Sequence, residues 1–142
     1  MNNYNTSSSV RCLPSNYPLV LIVEDDKLQQ KLYNLIAAQV HMTPTIVASC
    51  GEAIRAASEQ HFDLIFLDLQ MPDSNGIDCT GHLRLLDKVR DNQTPIIAVT
   101  AHAMPGDRER CLAAGMDDYL SKPFTLLQLK NKIQQWSERR SA

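Results

Sequence analysis

This 142-residue sequence has no membrane-length apolar run, no charge excess of either sign, no paired cysteine motif and no secretory leader. Each absence removes a class of function. The longest hydrophobic segments are a handful of residues, far short of the roughly 20 that a membrane helix needs. Fourteen basic residues against sixteen acidic ones leave a formal charge of −2, which gives no electrostatic footprint for nucleic acid or an anionic membrane. The polar start, Met1 to Ser9, lacks the basic and apolar regions of a signal peptide, so the expected location is the cytoplasm. Cys12, Cys50, Cys79 and Cys111 are scattered, with no Cys-x-x-Cys or Cys/His ligand spacing, and reduced, partly buried thiols are expected. His41, His61, His82 and His102 are scattered too, which argues against a zinc site; His102, two residues past Thr100, is expected at the rim of the site described below. No repeat of solenoid period is present.

What the sequence does have is alternation. Residues 1 to about 17, rich in Asn and Ser, read as a flexible tail, and 18–140 as one domain. Leu19–Val23 is short, branched and continuously apolar, as in a strand buried on both faces. Leu28, Leu32, Leu35 and Ile36 then fall on one helical face, and Asp25 or Asp26 can cap that helix. Further strands are expected at Thr45–Ala48, Asp63–Asp68, Ile96–Thr100 and Asp118–Leu120. Further helices are expected from Ser49 or Cys50, over Ile77 to Val89, from Met104-Pro105 to a cap at Gly115, and along the stripe Leu126, Leu129, Ile133 and Trp136. Five strands alternating with five helices imply an α/β fold: a doubly wound, five-stranded parallel sheet of order 2-1-3-4-5, flavodoxin-like.

In such a sheet ligands bind beyond the carboxyl ends of the strands. Here those ends carry Glu24-Asp25-Asp26, Asp68, Thr100 and, through Ser121, Lys122-Pro123. Neighbouring strands lie roughly 4.8 Å apart, so Glu24, Asp25 and Asp68 would crowd. Three close carboxylates repel unless a cation joins them. Mg²⁺ suits one or two carboxylates with retained water, and the backbone carbonyl of Gln70 could add a ligand. Lys122 brings a point charge and Thr100 a hydroxyl. A carboxylate, a cation and a hydroxyl together form a clamp for a phosphoryl group, with Asp68 as the nucleophile.

The segments Leu21-Ile22-Val23-Glu24-Asp25-Asp26, Asp68-Leu69-Gln70-Met71-Pro72 with Gly76, Thr100-Ala101 and Lys122-Pro123-Phe124, in this order, resemble the receiver domain of two-component response regulators. The stretches around Thr100 to Met104 and Gly115 to Pro123 look most like receivers of hybrid sensor histidine kinases. The resemblance covers Leu19 to Trp136 and implies a role for each residue. Asp68 would be the phosphoacceptor and Asp25 a direct Mg²⁺ ligand, with Mn²⁺ a possible substitute. Glu24 would hold metal-bound water, and the Gln70 carbonyl would be a third protein ligand. Thr100 would be the switch hydroxyl, Ala101 the small residue beside it, Lys122 the phosphate-pairing lysine, Tyr119 the aromatic that turns inward on activation, and Lys122-Pro123 a cis bond. Glu24 and Asn75 stand where Asp is common or frequent in the family.

The function implied is a phosphoacceptor switch rather than a turnover enzyme. Its donor would be a histidine kinase or a histidine phosphotransfer protein. Its output would pass to a protein partner at the 105–136 surface, or the phosphoryl group would be passed on. The state implied is a monomer or a weak, phosphorylation-dependent dimer. Few residues follow Trp136, so no output domain is expected within this sequence. A haloacid-dehalogenase-type phosphohydrolase is the alternative, but such enzymes carry a second Asp two residues after the nucleophile, where this sequence has Gln70. A flavodoxin-like cofactor binder would need a phosphate loop where Glu24-Asp25-Asp26 would repel phosphate.

Overall fold

Apolar strands that cannot face water on either side need helices above and below, and this requirement organises the molecule. The computed structural model describes residues 17–71, 75–101 and 104–141, with backbone only for 139–141. The expected tail lies outside these residues, apart from Tyr17, as do Pro72 and His102. In chain order the elements are β1 (Leu19–Val23), α1 (Lys27–Ile36), β2 (Thr43–Val47), α2 (Cys50–Glu59), β3 (Leu64–Asp68), α3 (Gly76–Arg84), α4 (Asp87–Asn92), β4 (Ile96–Thr100), α5 (Asp107–Ala113), β5 (Asp118–Ser121) and α6 (Leu126–Ser141). All strand pairings are parallel, and the order is β2-β1-β3-β4-β5. This is the expected doubly wound topology.

Alternate strand residues go to opposite faces. Leu21, Val23, Ile65, Leu67, Ile96 and Ala98 pack under α2, α3 and α4. Val20, Ile22, Leu64, Phe66, Ile97 and Val99 pack under α1 and α6. β2 holds the edge position, and Pro44 sits within it. The Thr43 amide donates to the Pro18 carbonyl on the β1 side, so the next residue's missing N–H falls on the open edge, where proline is tolerated.

Local chemistry sets the helix starts. Asp26 caps α1, accepting from the Gln29 amide at 2.9 Å. Ser49 caps α2, accepting from Glu52 N at 3.1 Å, while Glu52 reaches back to the Ala48 amide at 2.7 Å.

Five expectations need correction. The helix expected over Ile77 to Val89 is two, because Leu86 is extended (ψ 137). The break lets Leu83 and Val89 both reach the core while Leu85 stays exposed. The helix expected from Met104-Pro105 begins at Asp107, because Gly106 is left-handed (φ 88). Gly115 is left-handed as expected of a cap (φ 102). The leucine stripe of α1 points outward, with Leu28 72% and Leu35 77% exposed, while Tyr33 supplies the buried anchor. Likewise Leu126 is exposed, although Leu129 and Ile133 are fully buried. Finally, the cysteines are not all reduced thiols. Cys50 and Cys79 form a disulfide with Cα atoms 5.9 Å apart. Their separation of 29 residues carries no local motif, and only the packing of α2 beside α3 brings them together. Cys111 is free and buried.

The last helix is fastened in two ways. Burying Leu129 and Ile133 contributes roughly 1.5–3 kcal/mol each, more than an exposed ion pair would. Buried Asp118 adds a polar lock. Its Oδ2 accepts from Lys132 Nζ at 2.7 Å and Trp136 Nε1 at 2.8 Å, and its Oδ1 from the Tyr119 amide at 2.8 Å. Burial opposes the Asp118 charge, but these donors outweigh it and hold the carboxyl below its usual range. A folded pKa below the unfolded one gives stability that is present above the ordinary Asp value and lost as pH falls through the folded value. Asp118→Asn is therefore expected to cost about 1–3 kcal/mol at neutral pH. The difference should narrow in acid, as read from urea melts of both proteins across pH.

Candidate functional site

Strand register brings the chemistry to one edge. Val23 is level with Leu67, Asp68 with Val99, and Thr100 with Ser121. Glu24 just past β1, Asp68 and Thr100 at the ends of β3 and β4, and Lys122 just past β5 therefore gather at one edge. Glu24 extends the β1 ladder by one bond, its amide donating to the Val47 carbonyl at 2.9 Å. One carboxylate oxygen from each of Glu24, Asp25 and Asp68 lies within 4.8 Å of the other two. Glu24 and Asp68 are buried, while Asp25 is partly open to solvent. Lys122 reaches across from the end of β5, and its Nζ donates to Glu24 Oε1 and Asp68 Oδ2, each at 3.2 Å. The Lys122 amide is held by the Thr100 carbonyl at 2.8 Å, and the Lys122–Pro123 bond is cis.

The electrostatics follow from burial and crowding. Burial, reinforced by Asp68, pushes the Glu24 carboxyl above its usual range, although the Asp26 amide and Lys122 pull it back. Burial opposes the Lys122 charge, but the Asp68 and Glu24 carboxylates outweigh it and raise its pKa. The field reaches α1, where burial and then the charges of Glu24 and Asp68 push the Tyr33 phenol up.

Backbone groups complete the frame. The Gln70 amide donates to Asp68 Oδ1 at 2.9 Å, fixing the start of the loop after β3. Gly76 closes that loop tightly: a Cβ there would lie 2.5 Å from Leu69 Cδ2 and 3.2 Å from Leu69 Cα. Thr100 is buried at the end of β4, and Ala101 is exposed beside it. Tyr119 lies one strand over, level with Ala98 and half-buried.

The structure thus brings Glu24, Asp25, Asp68 and Lys122 together directly, with Gln70, Thr100 and Ala101 around them and Tyr119 further back. Sequence reasoning missed three contributors. Gln30 Nε2 donates to the Glu24 carbonyl at 2.6 Å, and the Asp26 amide to Glu24 Oε2 at 3.1 Å. The side chain of Gln70, not only its backbone, takes part by accepting from the Ala101 amide at 3.3 Å. The position of Gln30 four residues after the Asp26 cap was the available signal, since it turns that side chain back toward the end of β1.

The donor set fits Mg²⁺. All the ligand atoms are hard oxygens, and an octahedral ion with bonds of about 2.1 Å holds its oxygens roughly 3–4 Å apart. The three carboxylates need only a small inward movement to reach that spacing.

The profile of the response regulator receiver domain matches residues 20–134. The chain belongs to that family. Among similar proteins, the histidine-protein kinase BarA of Shigella flexneri is 40% identical over 80% of this chain, and the sensor protein GacS of Pseudomonas syringae is 33% identical over 88%. The chain spans only 12% and 14% of the length of these two relatives. The receiver domain of the sensor histidine kinase PA1611 from Pseudomonas aeruginosa, solved with magnesium in its active-site cleft, is 37% identical. It superimposes with a TM-score of 0.77 over 86% of this chain and 98% of its own. The Saccharomyces cerevisiae Ssk1 receiver, co-crystallised with the phosphotransfer protein Ypd1, is 29% identical with a TM-score of 0.77, covering 89% of this chain and 92% of that one. The receiver fold and its place in phosphorelay signalling are therefore shared by this chain. No helix among the described residues is long and apolar enough to cross a membrane.

The crowded carboxylates make a prediction. In metal-free protein the Glu24 carboxyl titrates above the usual range. Lys122→Met should move that titration higher, and added Mg²⁺ should move it lower in the unsubstituted protein. Carboxyl carbon chemical shifts followed against pH check both directions.

Proposed function

We propose that Asp68 accepts a phosphoryl group from a phosphohistidine donor, with Mg²⁺ held at Glu24, Asp25, Asp68 and the Gln70 carbonyl, Mn²⁺ being able to substitute. The observation that carries this reading is the double contact of Lys122 with Asp68 and Glu24. Two buried carboxylates share one ammonium at the carboxyl edge of a parallel sheet. One Asp68 carboxylate oxygen forms the new bond to phosphorus as the bond from phosphorus to the imidazole nitrogen breaks, and the electron pair leaves on the imidazole. The bound metal would supply positive charge against the phosphoryl oxygens. Lys122 then exchanges its carboxylate contact for a phosphoryl oxygen, and the Thr100 hydroxyl and Ala101 amide are donors at the adjoining strand end. Drawing Thr100 inward opens space that Tyr119 can enter, which changes the 105–136 surface read by a downstream partner or by a second copy in a weak dimer.

The exposed face of α1 supports a docking position for the donor. Leu28, Leu32 and Leu35 form an unburied apolar stripe. Beside it runs a groove of about 390 Å³ lined by Gln29, Leu32, Ala101, Lys122, Pro123 and Phe124. A helical phosphotransfer partner seated on that stripe would bring its histidine over Lys122 and Asp68. The hydrolase reading is disfavoured because position 70 carries an amide, engaged with Ala101 N, where a general acid would be required.

With Mg²⁺ and acetyl phosphate the protein should gain one acid-labile phosphate, and Asp68→Asn should gain none, as measured by intact mass. Equal labelling of the two proteins would refute the assignment. Replacing Leu28 and Leu35 together by Ser should leave stability within about 0.5 kcal/mol, as for exposed positions, and leave labelling by acetyl phosphate unchanged. Transfer from a phosphorylated histidine phosphotransfer protein should slow at least tenfold, which stopped-time transfer assays read directly.

A further inference from the structure

The Cys50–Cys79 bond lies at the same edge as the site, and its two residues differ in exposure. Cys50 is the first residue of α2, three residues past the end of β2, and is partly exposed. Cys79 is in the first turns of α3 and is 1% exposed. The bond therefore ties α2 to the helix that receives the loop leaving Asp68. That loop is anchored at its near end by the Gln70 amide on Asp68 Oδ1. At its far end it is held by the contact of Gly76 with Leu69. Met71 and Cys79 share one buried cluster, against which Cys50 and Leu69 pack. The position of α3 and the position of the Gln70 backbone are thus mechanically joined, and the disulfide fixes the first of them.

We propose that Cys50 and Cys79 form a reversible thiol–disulfide site that gates the phosphoacceptor, with cellular thiols of the glutathione class as the exchange partner; this rests on the reading of Asp68 given above. A disulfide in a thiol-rich compartment is characteristically a transient, sensing one. An incoming thiolate attacks the Sγ of Cys50, the more exposed of the two residues, the S–S bond breaks, and Cys79 leaves as a thiolate and takes up a proton. A second thiolate attacks the sulfur of the mixed disulfide that came from the first reductant, releasing Cys50, which is protonated in turn. Two thiols of the reductant become one disulfide, and two electrons and two protons pass to the cysteine pair. The oxidised form holds α3 and the Gln70 backbone in place. The reduced form lets them move, so the carbonyl expected at the metal is less well positioned.

The test uses the full chain in a Cys12→Ser background, oxidised with glutathione disulfide or reduced with glutathione, with the bond mapped by mass spectrometry. In metal-free protein, amide hydrogen exchange at Leu69, Gln70 and Gly76 to Leu83 should be at least fivefold slower when oxidised, with β1 and α6 unchanged. Mg²⁺ affinity by calorimetry should be at least threefold tighter, and labelling by acetyl phosphate faster, in the oxidised form. The Cys50→Ser/Cys79→Ser double variant should match the reduced protein in both conditions. The inference is overturned if no Cys50–Cys79 bond forms, if the bond resists glutathione, or if exchange and Mg²⁺ affinity are the same in both forms. Absence of labelling from both forms would overturn the phosphoacceptor reading instead, because exchange and metal affinity are read independently of it.

Discussion

Like charges forced together at the end of a buried sheet are the constraint on which the rest of this molecule depends. β1 and β3 must be neighbours for their apolar residues to be covered on both sides, and that adjacency carries Glu24 and Asp68 into one small space. Two buried carboxylates without a cation would be costly. Lys122, delivered by the outermost strand, supplies the compensating charge to both. The strand order, the short reach of β5 and the packing of α6 through Leu129 and Ile133 all serve to bring that ammonium to the acidic cluster. Fold and site are therefore linked through a single three-residue charge arrangement.

The same arrangement makes the edge responsive. A structure that balances Glu24 and Asp68 with one flexible lysine has no unique way to place an extra anion or an extra cation. On the proposed reading, a group added to Asp68 would draw Lys122 from its present contacts, beside Thr100, whose carbonyl accepts from the Lys122 amide. Asp118, through Lys132 and Trp136, holds α6 to β5.

Most of this was legible from the chain because it is written in local patterns. Continuous apolar runs of about five residues announce strands covered on both faces, and the residues that follow them announce the site. Capping residues such as Asp26 and Ser49 mark helix starts to within one position. What escaped was decided by tertiary packing. The leucine periodicity of α1 looks like a core stripe, yet Tyr33 fills the space against Phe124 and leaves the leucines outside. The break at Leu86 answers a demand for two separate anchors, Leu83 and Val89, that no single straight helix meets. The Cys50–Cys79 pairing depends on two helices lying side by side, and nothing in a 29-residue separation signals it. At the site, the acidic, hydroxyl and basic residues were readable. The bracing by the Gln70 side chain was not, and that by Gln30 showed only in its place four residues after the Asp26 cap.

Pro44 in the edge strand has a consequence for how this protein meets others. Its missing N–H faces outward, so a strand from another chain laid along β2 would lack a donor near the middle of the five-residue edge. The opposite edge, β5, offers only four residues. Both edges of the sheet are thus poorly suited to lengthening. That disfavours partners that would add a strand and favours those that would read side chains on helix surfaces and strand-tip loops.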